Sequence, residues 1–205
     1  MIEGLTSAFI LSLSLFPGTV WVVRLGVVGR PAQVIAACLG FGLSQFLWIL
    51  VSVPGLMMML KNLHFVVNGM YWFAALNLAY MSYKFARTKR AEQIEDVNTE
   101  IAAWQVFRNG FVQALAMPMR LPLAMALVLS TGTFMNNPPI VESIPGILIG
   151  AMLGTLWWWG QLGFLAVLFA KKVPVPVTLK SINKIRPLCV CIYAVLAVGA
   201  IYLSL

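Results

Sequence analysis

Long stretches without one charged residue decide what this chain can fold into. Residues 4–23, 31–60, 65–83, 143–170 and 187–205 contain no Asp, Glu, Lys or Arg, and residues 109–141 contain only Arg120. Each stretch approaches or exceeds the about 20 predominantly apolar residues that a helix needs to cross a bilayer. Inside lipid no water satisfies backbone N–H and C=O groups, so such segments have to bond internally, as helices. Only 10% of the residues are charged, against about 25% in an ordinary soluble domain. The fold class this predicts is an all-α membrane protein of six transmembrane helices. Residues 1–23 are expected to persist as a mature helix. They open on Met1-Ile2-Glu3, not on a basic region, and run into Phe16-Pro17-Gly18, not into a small-residue cleavage site.

The net charge of +8 does not point to nucleic acid, because the basic residues flank apolar segments and form no single stripe. Arg24 and Arg30 follow the first segment. Lys84, Arg87, Lys89, Arg90 and Arg108 lie between the third and fourth, and Lys171, Lys172, Lys180, Lys184 and Arg186 between the fifth and sixth. These odd-numbered joints hold 12 of the 14 Lys and Arg, while the even joints hold only Lys61. The positive-inside rule then puts the odd joints in the cytoplasm and both termini on the outer face. Cys38, Cys189 and Cys191 all lie in apolar stretches, an odd count that gives no disulfide framework.

Residues 87–105 form the only long polar stretch, with mixed charges spaced for i,i+3 and i,i+4 pairing on a short helix or a solvated linker. That stretch divides the single membrane domain into a first repeat over about 1–86 and a second over about 106–205. In the joint 171–186, Pro174 and Pro176 forbid a continuous helix, and its lysines suit lipid headgroups.

Segments one and four share an anomaly. Pro17-Gly18 falls about 13 residues into the first, Pro118 about 12 residues into the fourth, and Pro122 follows one turn later. At 1.5 Å per residue both interruptions sit roughly 18–20 Å into the membrane. A proline removes a helical hydrogen bond and frees a carbonyl, which membranes tolerate only where protein or water satisfies it. With odd joints inside, helices 1–3 and 4–6 run in opposite senses, so the pattern predicts two inverted three-helix repeats with helices 1 and 4 interrupted by proline. Interrupted helices at matching places in two halves are the best pointer to a transport site, against the plainer reading of two kinked packing helices.

Arg120 lies between Pro118 and Pro122. A charge at that depth costs about 2.5–3.5 kcal/mol even on permissive insertion scales. It can face an anionic group on a solute, or it can cap carbonyls freed by the break. Pro17, Gly18, Thr19, Gln45, Pro118, Met119, Arg120 and Gln161 are therefore the candidate substrate-binding residues. Single polar groups such as Gln45 and Gln161 can equally serve helix–helix hydrogen bonds. The spacing Gly146-x-x-x-Gly150-x-x-x-Gly154 packs helices closely, within one chain or between copies in a homo-oligomer. Trp157-Trp158-Trp159 reads as packing or a lipid-facing anchor.

The run Leu11-Ser12-Leu13-Ser14-Leu15-Phe16-Pro17-Gly18-Thr19, then Gly29-Arg30, then Ala37-Cys38-Leu39-Gly40-Phe41-Gly42, resembles the lysine exporter (LysE/RhtB) family of bacterial amino-acid exporters. So do Leu78-Ala79-Tyr80-Met81-Ser82-Tyr83-Lys84 and Phe107-Arg108-Asn109-Gly110-Phe111. The resemblance covers essentially the whole chain. Two positions depart from the family pattern: Pro17-Gly18-Thr19 stands where Pro-Gly-Pro is usual, and Met117-Pro118-Met119 where Asn-Pro-Lys is usual. The resemblance implies efflux of a small amino acid or similar metabolite across the bacterial cytoplasmic membrane, driven by the proton gradient, with no cofactor and no enzymatic step. The other classes weighed are a thiol–disulfide carrier, a metal-ion carrier and a non-transporting scaffold. Cys189 and Cys191, about 200° apart on a helix, cannot readily pair. A metal exporter would want ligands at depth, and the only His, His64, lies in a joint.

Overall fold

The charge-free stretches are helical. In the computed structural model, which describes residues 1–28, 30–62, 66–87, 101–135, 144–169, 172 and 183–204, every regular element is a helix. In chain order these are α1 (Ile2–Leu13), α2 (Phe16–Val28), α3 (Pro31–Asn62), α4 (Val66–Arg87), α5 (Ala103–Leu115), α6 (Arg120–Met135), α7 (Ile144–Phe169) and α8 (Ile185–Ser204).

The first and fourth expected segments are each split in two. α1 and α2 meet at a bend of 70°, α5 and α6 at 73°. Three unbroken helices, over Pro31–Met58, Ile144–Phe169 and Ile185–Tyr202, are long and apolar enough to cross a membrane, and counting each bent pair as one span raises the total to five. Six spans were expected. The shortfall is α4, which at 22 residues is long enough. Its two asparagines, Asn68 and Asn77, and its three tyrosines, Tyr71, Tyr80 and Tyr83, dilute its apolar character.

α5 begins at Ala103, inside the stretch expected as a polar linker over residues 87–105. The short helix expected within it falls outside the described residues, as do both prolines of the 171–186 joint. Arg186 belongs to the first turn of α8, followed by Pro187, at a helix start where a missing N–H is harmless. From there its Nη2 donates to the carbonyls of Phe85 and Ala86 at the end of α4, at 3.4 and 3.2 Å. α4 and α8 lie side by side along their length, with Phe85 stacked on Tyr193 and the Ser82 hydroxyl donating to the Val190 carbonyl.

Glycines set the other contacts. A Cβ on Gly150 would collide with the Met1 backbone, one on Gly154 with Leu5, and one on Gly4 with Ile147. The glycine stripe of α7 thus seats α1 of the same chain, so backbones meet where Gly146, Gly150 and Gly154 had also suited a second copy. Gly40 on α3 faces Phe107 and Phe111 on α5 in the same manner. The first half's broken helix therefore packs on the second half's long helix, and the second half's on the first's. Two apolar cores result. One gathers Leu11, Leu13, Leu78, Leu127 and Tyr193; the other gathers Leu15, Leu25, Phe41 and Trp159. The tryptophan triplet divides accordingly, Trp159 buried against Phe41 and Trp157 facing outward.

Candidate functional site

The first break lies a few residues before its proline. Pro17 would clash with the Leu13 carbonyl if the helix ran through, and it biases the residue before it away from helical geometry. α1 accordingly ends at Leu13, with Ser14 as its cap and the Ser14 N–H still bonded to the Ile10 carbonyl at 3.1 Å. The Leu15 N–H turns to Ser12 at 3.0 Å, which deprives the Leu11 carbonyl of its helical donor. α2 then starts at Phe16, so Pro17 sits in a first turn where no N–H is missed.

The second break repeats this logic. α5 ends at Leu115, Pro118 lies in the gap, and α6 starts at Arg120 with Pro122 in its first turn. Pro17 and Pro118 each leave the carbonyl four residues earlier without a helical donor, and each such carbonyl is met from a distant helix. The Trp48 indole N–H of α3 donates to Ala114 at 3.3 Å, and the Cys189 thiol of α8 lies 4.0 Å from the Leu13 carbonyl.

Arg120 ties the two breaks together. It is 5% exposed, and its Nη1 donates to the Leu11 carbonyl at 2.9 Å, to the Ser14 hydroxyl at 2.7 Å and to Gln45 Oε1 at 3.4 Å. The capping role weighed for this residue is therefore real, but the carbonyl it caps belongs to the opposite break. All three hydrogen bonds leave from Nη1. Nε and Nη2 have no hydrogen-bond partner among the described residues, and the side chain forms part of the wall of a cavity of about 420 Å³. Tyr193, one turn beyond Cys189 on α8, donates its hydroxyl to the Ile10 carbonyl of α1 at 3.5 Å.

Ser14, Phe16 and Pro17 from the first break and Met117, Pro118 and Met119 from the second line that cavity, and Met81, Lys84 and Phe85 of α4 complete it. Both half-helix N-termini, at Phe16 and Arg120, border it, each carrying partial positive charge. Of the eight candidate residues, Pro17, Pro118, Met119 and Arg120 line the cavity, and Gln45 touches it through Arg120. Gly18 is buried against Leu15 and Trp159, and the Thr19 hydroxyl is spent on the Leu15 carbonyl just before α2. Gln161 faces outward from α7, away from this group. Among the described residues, no three His, Cys, Asp or Glu side chains converge as metal ligands would.

A model of the LysE type translocators matches residues 9–202, nearly the whole chain. The chain belongs to the LysE type translocator family. It is thus a multi-pass membrane protein of a transporter family, not of an enzyme family, and its partners are a small-molecule substrate and the lipid around it. No curated protein and no solved structure matches it.

Two parts of the translocator's cavity escape sequence reasoning. Met81 and Phe85 look like ordinary apolar positions of a packed helix. Lys84 carries a signal, as the first cation of the cluster that closes the third segment, but that signal concerns orientation and not a site.

Proposed function

We propose that this chain is a secondary transporter that exports an amino acid or similar small metabolite across the bacterial cytoplasmic membrane, driven by the proton gradient. The solute occupies the cavity between the two breaks, held by Pro17, Pro118, Met119 and Arg120, with Gln45 behind the guanidinium. One observation carries this reading. Arg120, a buried charge expensive to keep in a membrane, joins both breaks through Nη1 and lines the cavity between them.

The arrangement of the halves supports alternating access. Each half runs broken helix, long helix, shorter helix, and the bends of 70° and 73° are nearly equal. The crosswise seating of α1 on α7 and of α5 on α3 suits a pseudo-two-fold relation between inverted repeats. The cavity borders Lys84 and Phe85 at the end of α4, the side that the basic residues assign to the cytoplasm. Toward the other end of α1, the Ser7 and Thr131 hydroxyls bond at 2.6 Å and close α1 onto α6. The described state is then open inward, and rocking of the halves about Arg120 exchanges the open side.

Metabolite profiling of the medium, with and without overexpression, tests the proposal. Selective accumulation of one solute, lost in Arg120→Ala, is the expected result. Efflux that continues unchanged in that variant would overturn the site assignment.

A further inference from the structure

One side of α5 is used neither by the fold nor by the site. The helix seats on α3 through Val106, Gly110 and Ala114, its buried residues. At about 100° per residue, Gln105, Asn109 and Gln113 fall within an arc of about 80° beside that face. All three are exposed. Trp104, Phe107 and Phe111 stack along the opposite side, with ring centroids 5.2 and 5.9 Å apart. Arg108 and Val112, also exposed, lie between the two sides. α5 thus carries three amides on one flank and three aromatic rings on the other.

The contacts with α3 give each amide its depth. The Gln33 side chain, in the first turn of α3, donates to the Ile101 carbonyl at 2.6 Å, and the Trp48 indole donates to Ala114 at 3.3 Å. α5 therefore runs alongside the first half of α3. Ala114 lies level with Trp48, about 5 Å from the middle of the Pro31–Met58 span. Gln105 stands near the end that the basic residues assign to the cytoplasm, Asn109 one turn deeper, and Gln113 near mid-membrane. An exposed amide at that depth cannot sit against lipid without a large penalty, because hydrocarbon offers it no hydrogen bond. The row is also continuous with the site, since Ala116, on the same side of the helix, and Met117 line the cavity.

We infer that Gln105, Asn109 and Gln113 line a water-filled entrance, along which the solute travels from the cytoplasm to Arg120. The inference rests on the transport reading above and adds to it a route, built from three residues outside the cavity. Each amide both donates and accepts, so each can replace water around a polar solute whatever charge the solute carries.

Thiols react as thiolates, which form in water, so cysteine labelling reads whether a position is wet. Gln105→Cys, Asn109→Cys and Gln113→Cys are made singly in the Cys191→Ser chain, whose other native thiols, Cys38 and Cys189, are buried. Val195→Cys and Trp157→Cys, 67% and 61% exposed near the middles of α8 and α7, serve as apolar references of similar depth. In inside-out vesicles, a membrane-impermeant maleimide is expected to label the three α5 positions at least tenfold faster than the references. Gln113→Cys reacting as slowly as the references would overturn the inference. So would a disulfide formed under mild oxidant between two Gln113→Cys chains, which would make the row a contact between copies. Met119→Cys, at a cavity position that is 40% exposed, supplies a second arm. Adding Asn109→Trp is expected to slow its labelling several-fold; an unchanged rate would overturn the route. The two readings fail separately. Slow labelling of α5 beside Arg120-dependent efflux from cells refutes the entrance and leaves the transporter standing, whereas efflux indifferent to Arg120 refutes both.

Discussion

Arg120 of α6 donates through Nη1 to the carbonyl of Leu11 in α1 at 2.9 Å, so the charge of one broken helix caps the other. Two opposing terms set what this is worth. Hydrogen bonds from a charged group contribute about 1.5–3 kcal/mol each. Holding a charge in a membrane segment costs about 2.5–3.5 kcal/mol. Over the three bonds from Nη1 the gain exceeds the cost, so Arg120 holds the two breaks together besides lining the cavity. Arg120→Met, which keeps an unbranched chain and removes charge and donors together, is expected to cost about 1–6 kcal/mol of stability. Transport should fall by an order of magnitude or more. Counterflow in proteoliposomes and detergent melting read the two quantities separately. A large loss of stability with transport preserved per folded molecule would make Arg120 a structural cap only.

The glycine stripe of α7 gives a second expectation. Gly154 faces the Leu5 backbone, and a backbone cannot rotate aside as a side chain can. Gly154→Leu should separate α1 from α7, at a cost of at least the about 1–3 kcal/mol typical of overpacking. Gly160 on the same helix has nothing within 4 Å of a would-be Cβ, so Gly160→Leu should fold as wild type. Size-exclusion profiles and melting midpoints of the pair decide it. A Gly154→Leu protein that melts normally and changes only its oligomeric state would return the stripe to a contact between copies.

Orientation is open to labelling. Cys38 and Cys189 are buried and Cys191 is exposed, so Cys191→Ser removes the accessible native thiol. In that background, Lys184→Cys should react with a membrane-impermeant maleimide only after the cells are opened. Glu142→Cys should react in intact cells. The opposite pattern would invert the topology and turn the cavity outward.

Much of this was legible in the residues, and the remainder was hidden for a physical reason. Charge-free runs announce helices because lipid leaves the backbone no alternative. Prolines 17 and 118 announce the two breaks, and the cost of a buried guanidinium marks Arg120. Its partners are harder to see. The Leu11 carbonyl is a backbone group, identical in every residue, and becomes an acceptor only because Leu15 turns to Ser12. Gln45 and Gln161 look alike in sequence, yet one is buried beside Arg120 and the other faces outward, since the rotation of each helix is set by its neighbours. The zipper of α7 was readable as a close contact, but small residues do not name their partner. α4 scored as a span from its lack of charge, while its asparagines and tyrosines make it the least apolar of the long helices.

The prolines supply the most discriminating comparison, because their effects on stability and on transport should have opposite signs. Pro17→Ala returns an N–H that can reach the Leu13 carbonyl, and Pro118→Ala one that can reach Ala114, now served by Trp48. Each restored helical bond contributes about 0.5–1.5 kcal/mol, and alanine favours a continuous helix over proline by about 3 kcal/mol. The substitutions should therefore leave the melting midpoint unchanged or raise it. Straightening either bend, however, withdraws a half-helix N-terminus from the cavity and pulls Arg120 from Leu11 or Leu11 from Arg120. Counterflow should drop several-fold in each single variant and further in the double. Wild-type rates in both would mean that the bends of 70° and 73° merely accommodate packing. Slower transport by a more stable protein would instead identify the breaks as structure kept for function, at the expense of the helix.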